Sequence, residues 1–201
     1  MSIAFIVDGY TEKRIIQEIC GGRDTSIRLR QLNGRSVNVD RLCVSIQSHF
    51  RFLREKGHRP IVIIVDREDR VVPAIKLEEE IKSALRAAGI SEQDFIVAVA
   101  DQMIENWILA GGEKLFPEAL LDWSEDLEGC NGKSKIKKIM KAQKSTYDEV
   151  TDGPKFFFKM SHADAAAKSP SFRRLFDALT DHCPKFRYAA TAAQFASSEP
   201  A

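Results

Sequence analysis

Two kinds of hydrophobic pattern alternate along the first half of the chain. Short continuous runs of apolar residues are typical of strands that a parallel sheet buries on both faces, whereas apolar residues three and four apart indicate amphipathic helices. The predicted strands are 3–7, 26–32, 61–65 and 95–100, of which 26–32 alternates and is the most exposed. The predicted helices begin near Thr11, Val39 and Leu77 and end before Gly21, Gly57 and Gly89.

This alternation predicts how the strands are connected. Strand, helix and strand in succession require right-handed crossovers, so the fold class is α/β, a Rossmann-like parallel sheet of about four strands with helices on both faces. The common strand order is 2-1-3-4, in which the first and third strands are neighbours. From Met103 onward the pattern is mostly helical, with Ser169 as N-cap and Pro170 in the first turn of the last clear helix. We expect an α/β core at 1–101, a helical extension at 102–188 packed on it, and a flexible tail at 189–201.

Composition narrows the class of protein. The chain has 201 residues with 30 Lys and Arg against 29 Asp and Glu, an ordinary globular balance that excludes a disordered or fibrous protein. Its longest apolar run, 61–65, is far shorter than the roughly 20 residues of a membrane span, and no basic segment precedes the first apolar run as in a signal peptide. The four cysteines lack Cys-x-x-Cys spacing, which predicts reduced thiols and a cytoplasmic location.

Acidic residues follow the first and third predicted strands. Asp8 comes directly after the first strand, with Glu12 one helical turn behind it, and Asp66, Glu68 and Asp69 follow the third. In the 2-1-3-4 order these carboxylates converge, and two carboxylates about 4 Å apart repel by about 4 kcal/mol at an effective dielectric of about 20. We therefore expect a divalent cation, and oxygen ligands favour Mg²⁺ or Mn²⁺. The alternative is that Asp8 and Asp66 cap the following helices, which is worth about 1 kcal/mol each.

Basic residues offer candidate contacts to phosphate groups. Arg67 and Arg70 lie inside the acidic strand end, where a guanidinium suits phosphate. A segment at 133–144 holds six lysines and no acid, which predicts either a nucleic-acid phosphate contact or a solvated helix face paired with the acids of 113–128. These lysines are Lys133, Lys135, Lys137, Lys138, Lys141 and Lys144. Trp107 could stack on a base, although its apolar helix favours the core.

Four segments of the chain resemble TOPRIM proteins. Ile-Val-Asp-Gly-Tyr-Thr-Glu at 6–12 resembles the Val-Glu-Gly-x-Thr-Glu opening of TOPRIM domains related to overcoming-lysogenization-defect nucleases, and Val-Asp-Arg-Glu-Asp at 65–69 resembles their Asp-x-Asp strand end. Residues 104–110 and 169–175 are similar to the Glu-x-Trp-Leu-Leu-Ala and Ser-x-Ser-Phe segments of a bacterial TOPRIM-like family of unknown function. The resemblance spans about residues 3–180.

The resemblance implies metal-dependent cleavage of nucleic acid, with DNA favoured over RNA as the substrate. It places Asp8, Glu12 and Asp66 in the catalytic set, with Asp8 near the scissile phosphate as general acid and base. Asp66 and Glu68 would be metal ligands, supported by Glu12 and Asp69. Glu105 follows the fourth strand and would either ligate a second ion or point outward from its helix.

Two departures from the TOPRIM motifs leave alternatives open. Asp8 stands where those proteins usually carry Glu, and Glu68 stands where they carry the second Asp of Asp-x-Asp, so both positions keep a carboxylate. Such proteins are often paired with a separate ATPase, which implies an effector of an anti-phage or mobile-element system. The first alternative is a catalytically degenerate adaptor or regulatory subunit of that ATPase. The second is a phosphatase or phosphotransferase, against which no Asp-x-Asp follows the first strand.

Overall fold

The structure is a computed structural model, and it describes residues 2–19, 26–29, 38–117, 121–123, 127–183 and 186. Strands and helices alternate in the first half: β1 (Ser2–Val7), α1 (Tyr10–Ile19), β2 (Ser26–Arg28), α2 (Val39–Glu55), β3 (His58–Asp66), α3 (Ala74–Ala87) and β4 (Phe95–Ala100). The second half is helical: α4 (Glu105–Ala110), α5 (Gly132–Ala142), α6 (Asp152–Lys159), α7 (His162–Lys168) and α8 (Pro170–Leu179). The predicted α/β class, with helices after the sheet, is confirmed.

The strands form one parallel sheet in the order β2-β1-β3-β4, which confirms the predicted order. The long strands are β1, β3 and β4, and the short strand β2 lies at the edge. Although α1, β2 and α2 come between β1 and β3 in the chain, these two strands are direct neighbours. The strand order therefore reverses between them, and this is where open α/β sheets bind their ligands.

Helices cover both faces of the sheet, and the central strand β3 is buried between them. Val62 and Ile64 pack into one core, which includes residues of α1 and the C-terminal helices. Ile61, Ile63 and Val65 pack into the other core, with α2 and α3. All five residues are at most 1% exposed, as a continuous apolar run predicts for a strand covered on both sides.

The segments 104–110 and 169–175 meet in the core beneath the sheet. The indole Nε1 of Trp107 donates a hydrogen bond to Ser171 Oγ at 2.7 Å, and its ring centroid lies 5.5 Å from that of Phe172. Ser169 caps α8, as predicted, by accepting from the amide of Phe172 at 3.1 Å. Because Trp107 is 0% exposed, this residue packs the core and cannot stack on a base.

Two other expectations can be compared with the structure. Cys183 is disulfide-bonded, so the prediction of reduced thiols is wrong for this residue, while Cys43 and Cys130 form no disulfide. Spacing along a chain does not reveal which distant cysteines a fold brings together. None of the described helices is both long and apolar enough to cross a membrane. The predicted tail at 189–201 lies outside the described residues.

Candidate metal centre

Acidic residues of β1 and β3 meet at the carboxyl edge of the sheet. Asp8 directly follows β1, Asp66 is the last residue of β3, and Glu12 reaches the same point from the first turn of α1. The backbone amide of Asp66 donates to Asp8 Oδ2 at 3.0 Å, which ties the two strand ends together. The helix-cap interpretation is wrong for Asp66, because α3 begins after Pro73 without a side-chain cap.

Three of these carboxylates form a compact cluster that could hold a metal ion. One oxygen from each of Asp8, Glu12 and Asp66 lies within 4.8 Å of the others. Asp8 is 5% exposed and Glu12 is 4% exposed. Glu12 Oε2 and Asp66 Oδ1 are buried without a hydrogen-bond partner among the described residues. Because buried polar atoms are normally satisfied, two orphaned oxygens in one cluster fit a site whose natural partner is a cation.

Gly9 is what lets Glu12 lie so close to the backbone. A Cβ atom on Gly9 would overlap Glu12 Oε2 and would lie 3.0 Å from Glu12 Cδ. The residue after Asp8 therefore has to lack a side chain if the Glu12 carboxylate is to hold its observed position. This gives the Asp-Gly-x-x-Glu spacing of the sequence a physical meaning beyond backbone flexibility.

Burial raises the pKa of all three carboxyl groups, because an ionised carboxylate loses its hydration there. For Asp8, burial and the Glu68 charge outweigh the hydrogen bond from the Asp66 amide and raise the pKa from 3.8 to about 6. Burial and the Asp8 charge raise the pKa of Glu12 from 4.5 to about 8. Burial and the charges of Asp8 and Glu12 raise the pKa of Asp66 well above its usual value. A nearby cation would favour the ionised forms instead.

The cluster opens into a strongly acidic cleft of about 190 Å³. Its described lining contains six acidic side chains against one lysine. These are Asp8, Glu12, Asp66, Glu68, Glu105, Glu149 and Lys133. The repulsion among so many carboxylates is the second reason why the cleft suits divalent cations.

Glu105 faces this cleft and does not point outward. It is 4% exposed, and its Oε1 accepts a hydrogen bond from the Tyr147 hydroxyl at 3.2 Å. Burial raises the pKa of Glu105, although the charge of Lys133 and the Tyr147 hydrogen bond oppose the rise. The interpretation of Glu105 as an outward helix charge is therefore wrong, because the turn after β4 directs the first residues of α4 into the core.

The far side of the cleft comes from the segment between α5 and α6. Glu149 forms an ion pair with Lys133, and its backbone carbonyl accepts from Thr11 Oγ1 at 3.0 Å. The next carbonyl, of Val150, accepts from Arg14 Nη1 at 3.1 Å. Burial alone would lower the pKa of Lys133, but Glu149 and Glu105 raise it, so its ammonium stays charged. The segment is thus held against α1 beside the carboxylate cluster.

Glu68 reaches the cleft through an uncommon backbone conformation. Its φ is 52°, and its amide donates to the carbonyl of Gln102 at 2.7 Å. Gln102 itself has a φ of 68°, so the loops after β3 and β4 are both left-handed where they touch. Residues other than glycine adopt this conformation at a cost, and such strain is concentrated at functional sites.

Several predicted site residues lie away from the cleft lining. Arg67 Nε contacts Asp101 Oδ1 at 2.5 Å, and buried Arg70 donates to the carbonyls of Asp66 and Arg67 at 3.0 and 3.1 Å. Both guanidinium groups therefore organise the loop after β3. Asp69 is exposed on that loop. Lys135 and Lys137 lie further along α5 than Lys133. The metal and phosphate roles of these residues stay predictions.

Sequence reasoning missed three residues that shape the site. Tyr147 and Glu149 lie in a segment without hydrophobic periodicity, and nothing local indicates that it packs against α1. Asn106 lies between Glu105 and Trp107, and its position in the sequence gives no sign of its hydrogen bonds to a distant loop. Its Nδ2 donates to the carbonyls of Leu127 and Cys130 at 2.6 and 2.9 Å, which fixes the loop that leads into α5.

The sheet carries three clustered carboxylates at its carboxyl edge, where the strand order reverses between β1 and β3. The protein is therefore a parallel α/β protein with an acidic site suited to a cation. Within this class, the chain belongs to the DUF4276 family, a domain of unknown function, whose family model matches residues 7–180. That range includes every residue of the cleft. No curated protein and no solved structure matches the chain.

Proposed function

We propose that the protein is a Mg²⁺- or Mn²⁺-dependent nuclease that hydrolyses phosphodiester bonds of nucleic acid. The observation that carries the proposal is the Asp8, Glu12 and Asp66 cluster with its two buried, unpartnered oxygens. Its ligands are carboxylate oxygens alone, which favour these hard cations over zinc. The resemblance of residues 6–12 and 65–69 to TOPRIM motifs supports the same function.

In this proposal each residue of the cleft has a role. Asp8, Glu12 and Asp66 hold the cation, with Glu68 beside them, and Glu105 is available to a second ion. A bound divalent ion polarises a phosphoryl oxygen and lowers the pKa of its water. Asp8 is also the proposed general acid and base, because it lies beside the position where the cation would hold the scissile phosphate.

Lys133 and Tyr147 complete the proposed site from the opposite side. The Lys133 ammonium can donate to a non-bridging phosphate oxygen once the substrate competes with Glu149 for it. Tyr147 fixes the Glu105 carboxylate through its hydroxyl hydrogen bond. The proposed substrate is DNA, and the proposed setting is an anti-phage or mobile-element system with a separate ATPase. Substrate and setting rest on the motif resemblance alone.

Replacement of Asp66 by Asn tests the proposal. Cleavage of plasmid, linear and single-stranded DNA is measured with Mg²⁺ or Mn²⁺, with and without the ATPase partner that the proposal expects. Loss of a catalytic metal ligand should lower the rate by several orders of magnitude. Asp177→Asn is the matched control, since it makes the same change at an exposed position on α8 and should cleave like the wild type.

The fold should survive the substitution, because removing one charge relieves repulsion in the cluster. An Asp66→Asn variant that unfolds in EDTA at or above the wild-type temperature, but does not cleave when metal is present, supports the nuclease. If the wild type with metal and partner cuts no better than Asp66→Asn on any substrate, the nuclease proposal fails. The adaptor alternative then takes its place.

A further inference from the structure

Helix α5 carries a row of lysines that starts inside the acidic cleft and leads away from it. Lys133 lies at the N-terminal end and lines the cleft. Lys137 and Lys141 follow at intervals of four residues, so they share one side of the helix with Lys133. The adjoining side of the helix holds Ile136 and Ile139, which are buried in the core, while Lys137 and Lys141 are exposed. The lysine side is therefore fixed toward solvent.

Four lysines on α5 and just after it form no ion pair with any described acid. Lys137, Lys138, Lys141 and Lys144 are exposed, and none of them forms an ion pair within the described parts of the chain. Two acids of the segment 113–128 have other partners. Glu113 pairs with Lys168 at 2.8 Å, and Glu128 accepts hydrogen bonds from Ser169 and Ser171. For these four lysines, the interpretation as a face paired with the acids of 113–128 therefore finds no support in the described structure.

We propose that this face of α5 binds the backbone of a nucleic-acid strand that enters the cleft past Lys133. The inference rests on the proposed nuclease function and adds the path of its substrate. Eight residues from Lys133 to Lys141 span about 12 Å at a rise of about 1.5 Å per residue. That length covers about three to four phosphates of one strand along a duplex axis.

A nucleic acid fits this surface better than a membrane or an acidic protein. Membrane-surface helices and protein interfaces place large apolar side chains beside their charges. In the part of the chain that the structure describes, the large exposed apolar residues are Tyr10, Val44, Phe52, Val71, Ile75 and Phe158, and none of them lies on α5. A row of cations on a helix that carries no large exposed apolar residue, and that ends at a proposed phosphodiester site, is suited to a phosphate backbone.

The test is binding of a fluorescent DNA oligonucleotide in EDTA, followed by anisotropy at several salt concentrations. The double variant Lys137→Gln/Lys141→Gln should lose about two from the slope of log affinity against log salt, about one for each lost phosphate contact. Its affinity at low salt should fall about tenfold or more. The matched control is Lys56→Gln/Lys76→Gln, which removes the same charge from exposed positions at the end of α2 and on α3, on the other face of the sheet.

The outcomes separate this inference from the proposed function. If the double variant on α5 weakens binding and the control variant does not, the inference holds. A wild type that binds DNA but cleaves none rejects the nuclease without rejecting this binding path. If the wild type cleaves DNA but both double variants bind it alike, the nuclease stands and the α5 path is rejected. Absence of wild-type binding at low salt also rejects it. Equal weakening of polyglutamate binding would identify an acidic-protein surface and overturn the inference.

Discussion

At the scale of single residues, the chemistry of the site depends on how closely the carboxylates of the cluster approach one another. Glu12 belongs to a helix and Asp66 to a strand, yet their oxygens come within 4.8 Å of each other and of Asp8. The Glu12 carboxylate occupies the space that a side chain on Gly9 would need. Metal affinity should therefore depend on a residue that has no ligand atom of its own.

Replacement of Gly9 by Ala should weaken metal binding while leaving the fold nearly intact. The added methyl group meets the end of a flexible side chain, so the Glu12 carboxylate can move aside without a shift of the backbone. A misplaced ligand should lower the affinity for Mn²⁺ by about 10- to 100-fold, the range found when the support of a ligand is lost. Calorimetric titration with Mn²⁺ measures the affinity, and thermal unfolding checks the fold.

A double-mutant cycle with Glu12→Ala is the control for this prediction. When the carboxylate is absent, the alanine at position 9 has nothing to displace and should cause no further loss of affinity. Equal losses in both backgrounds would show that Gly9 acts through the backbone and not through Glu12.

At the scale of elements, the position of Lys133 in the cleft depends on the loop that carries Leu127 and Cys130 and leads into α5. The amide of Asn106, on α4, holds both carbonyls of this loop. Asn131 then caps α5 by accepting from the amide of Ser134 at 2.9 Å. The close contact of Gly132 with Asn106 leaves no room for a Cβ there. The position of α5 thus depends on one buried side chain.

Replacement of Asn106 by Leu should loosen α5 more than the sheet. It removes one hydrogen bond from each of two carbonyls, at about 1 kcal/mol for each bond. The Leu127 carbonyl still accepts from Cys130 Sγ, and the Cys130 carbonyl still accepts from the Gly132 amide. Hydrogen exchange should speed up in α5 and the loop before it, while the amides of β1 and β3 stay protected relative to global unfolding. Gln47→Ala is the comparison, since it removes a single hydrogen bond to the Ala84 carbonyl on the other face of the sheet. Exchange that is faster throughout the chain, or unchanged in α5, would contradict the prediction.

Elements whose pattern is local could be predicted from the sequence. The apolar run at 61–65 is sufficient for β3, and the Ser169-Pro170 pair is sufficient for the start of α8. The strand order is the common order of doubly wound sheets, which predicted that Asp8 and Asp66 meet. The positions of Tyr147 and Glu149 could not be predicted, because they depend on packing between residues more than a hundred positions apart, such as Thr11 with Glu149.

Electrostatics at the scale of the whole molecule couples the acidic cleft to folding. The net charge is only +1, but six carboxylates share one cleft, while Lys137, Lys138 and Lys141 on α5 are exposed to solvent. Buried acids with raised pKa values hold protons in the folded protein that the unfolded chain has already released. Stability without metal should therefore fall as the pH rises through this range.

The unfolding temperature of the protein should depend on both the pH and the presence of a divalent cation. Without metal the folded pKa values of Asp8 and Glu12, about 6 and about 8, exceed the ordinary values of 3.8 and 4.5. The folded state therefore binds more protons between about pH 4 and pH 8, so the unfolding temperature in EDTA should fall across this range, by about 2–4 °C for each kcal/mol lost. Millimolar Mn²⁺ should raise the unfolding temperature, and more at pH 8 than at pH 5, because the cation binds only the ionised, folded site.

Glu12→Gln should flatten the pH dependence in EDTA, raise the unfolding temperature at pH 8 and reduce the effect of Mn²⁺. If the unfolding temperature in EDTA rises from pH 5 to pH 8, the buried carboxyl groups do not hold protons in the metal-free protein. If Glu12→Gln leaves the effect of Mn²⁺ unchanged, the cation does not bind at this cluster.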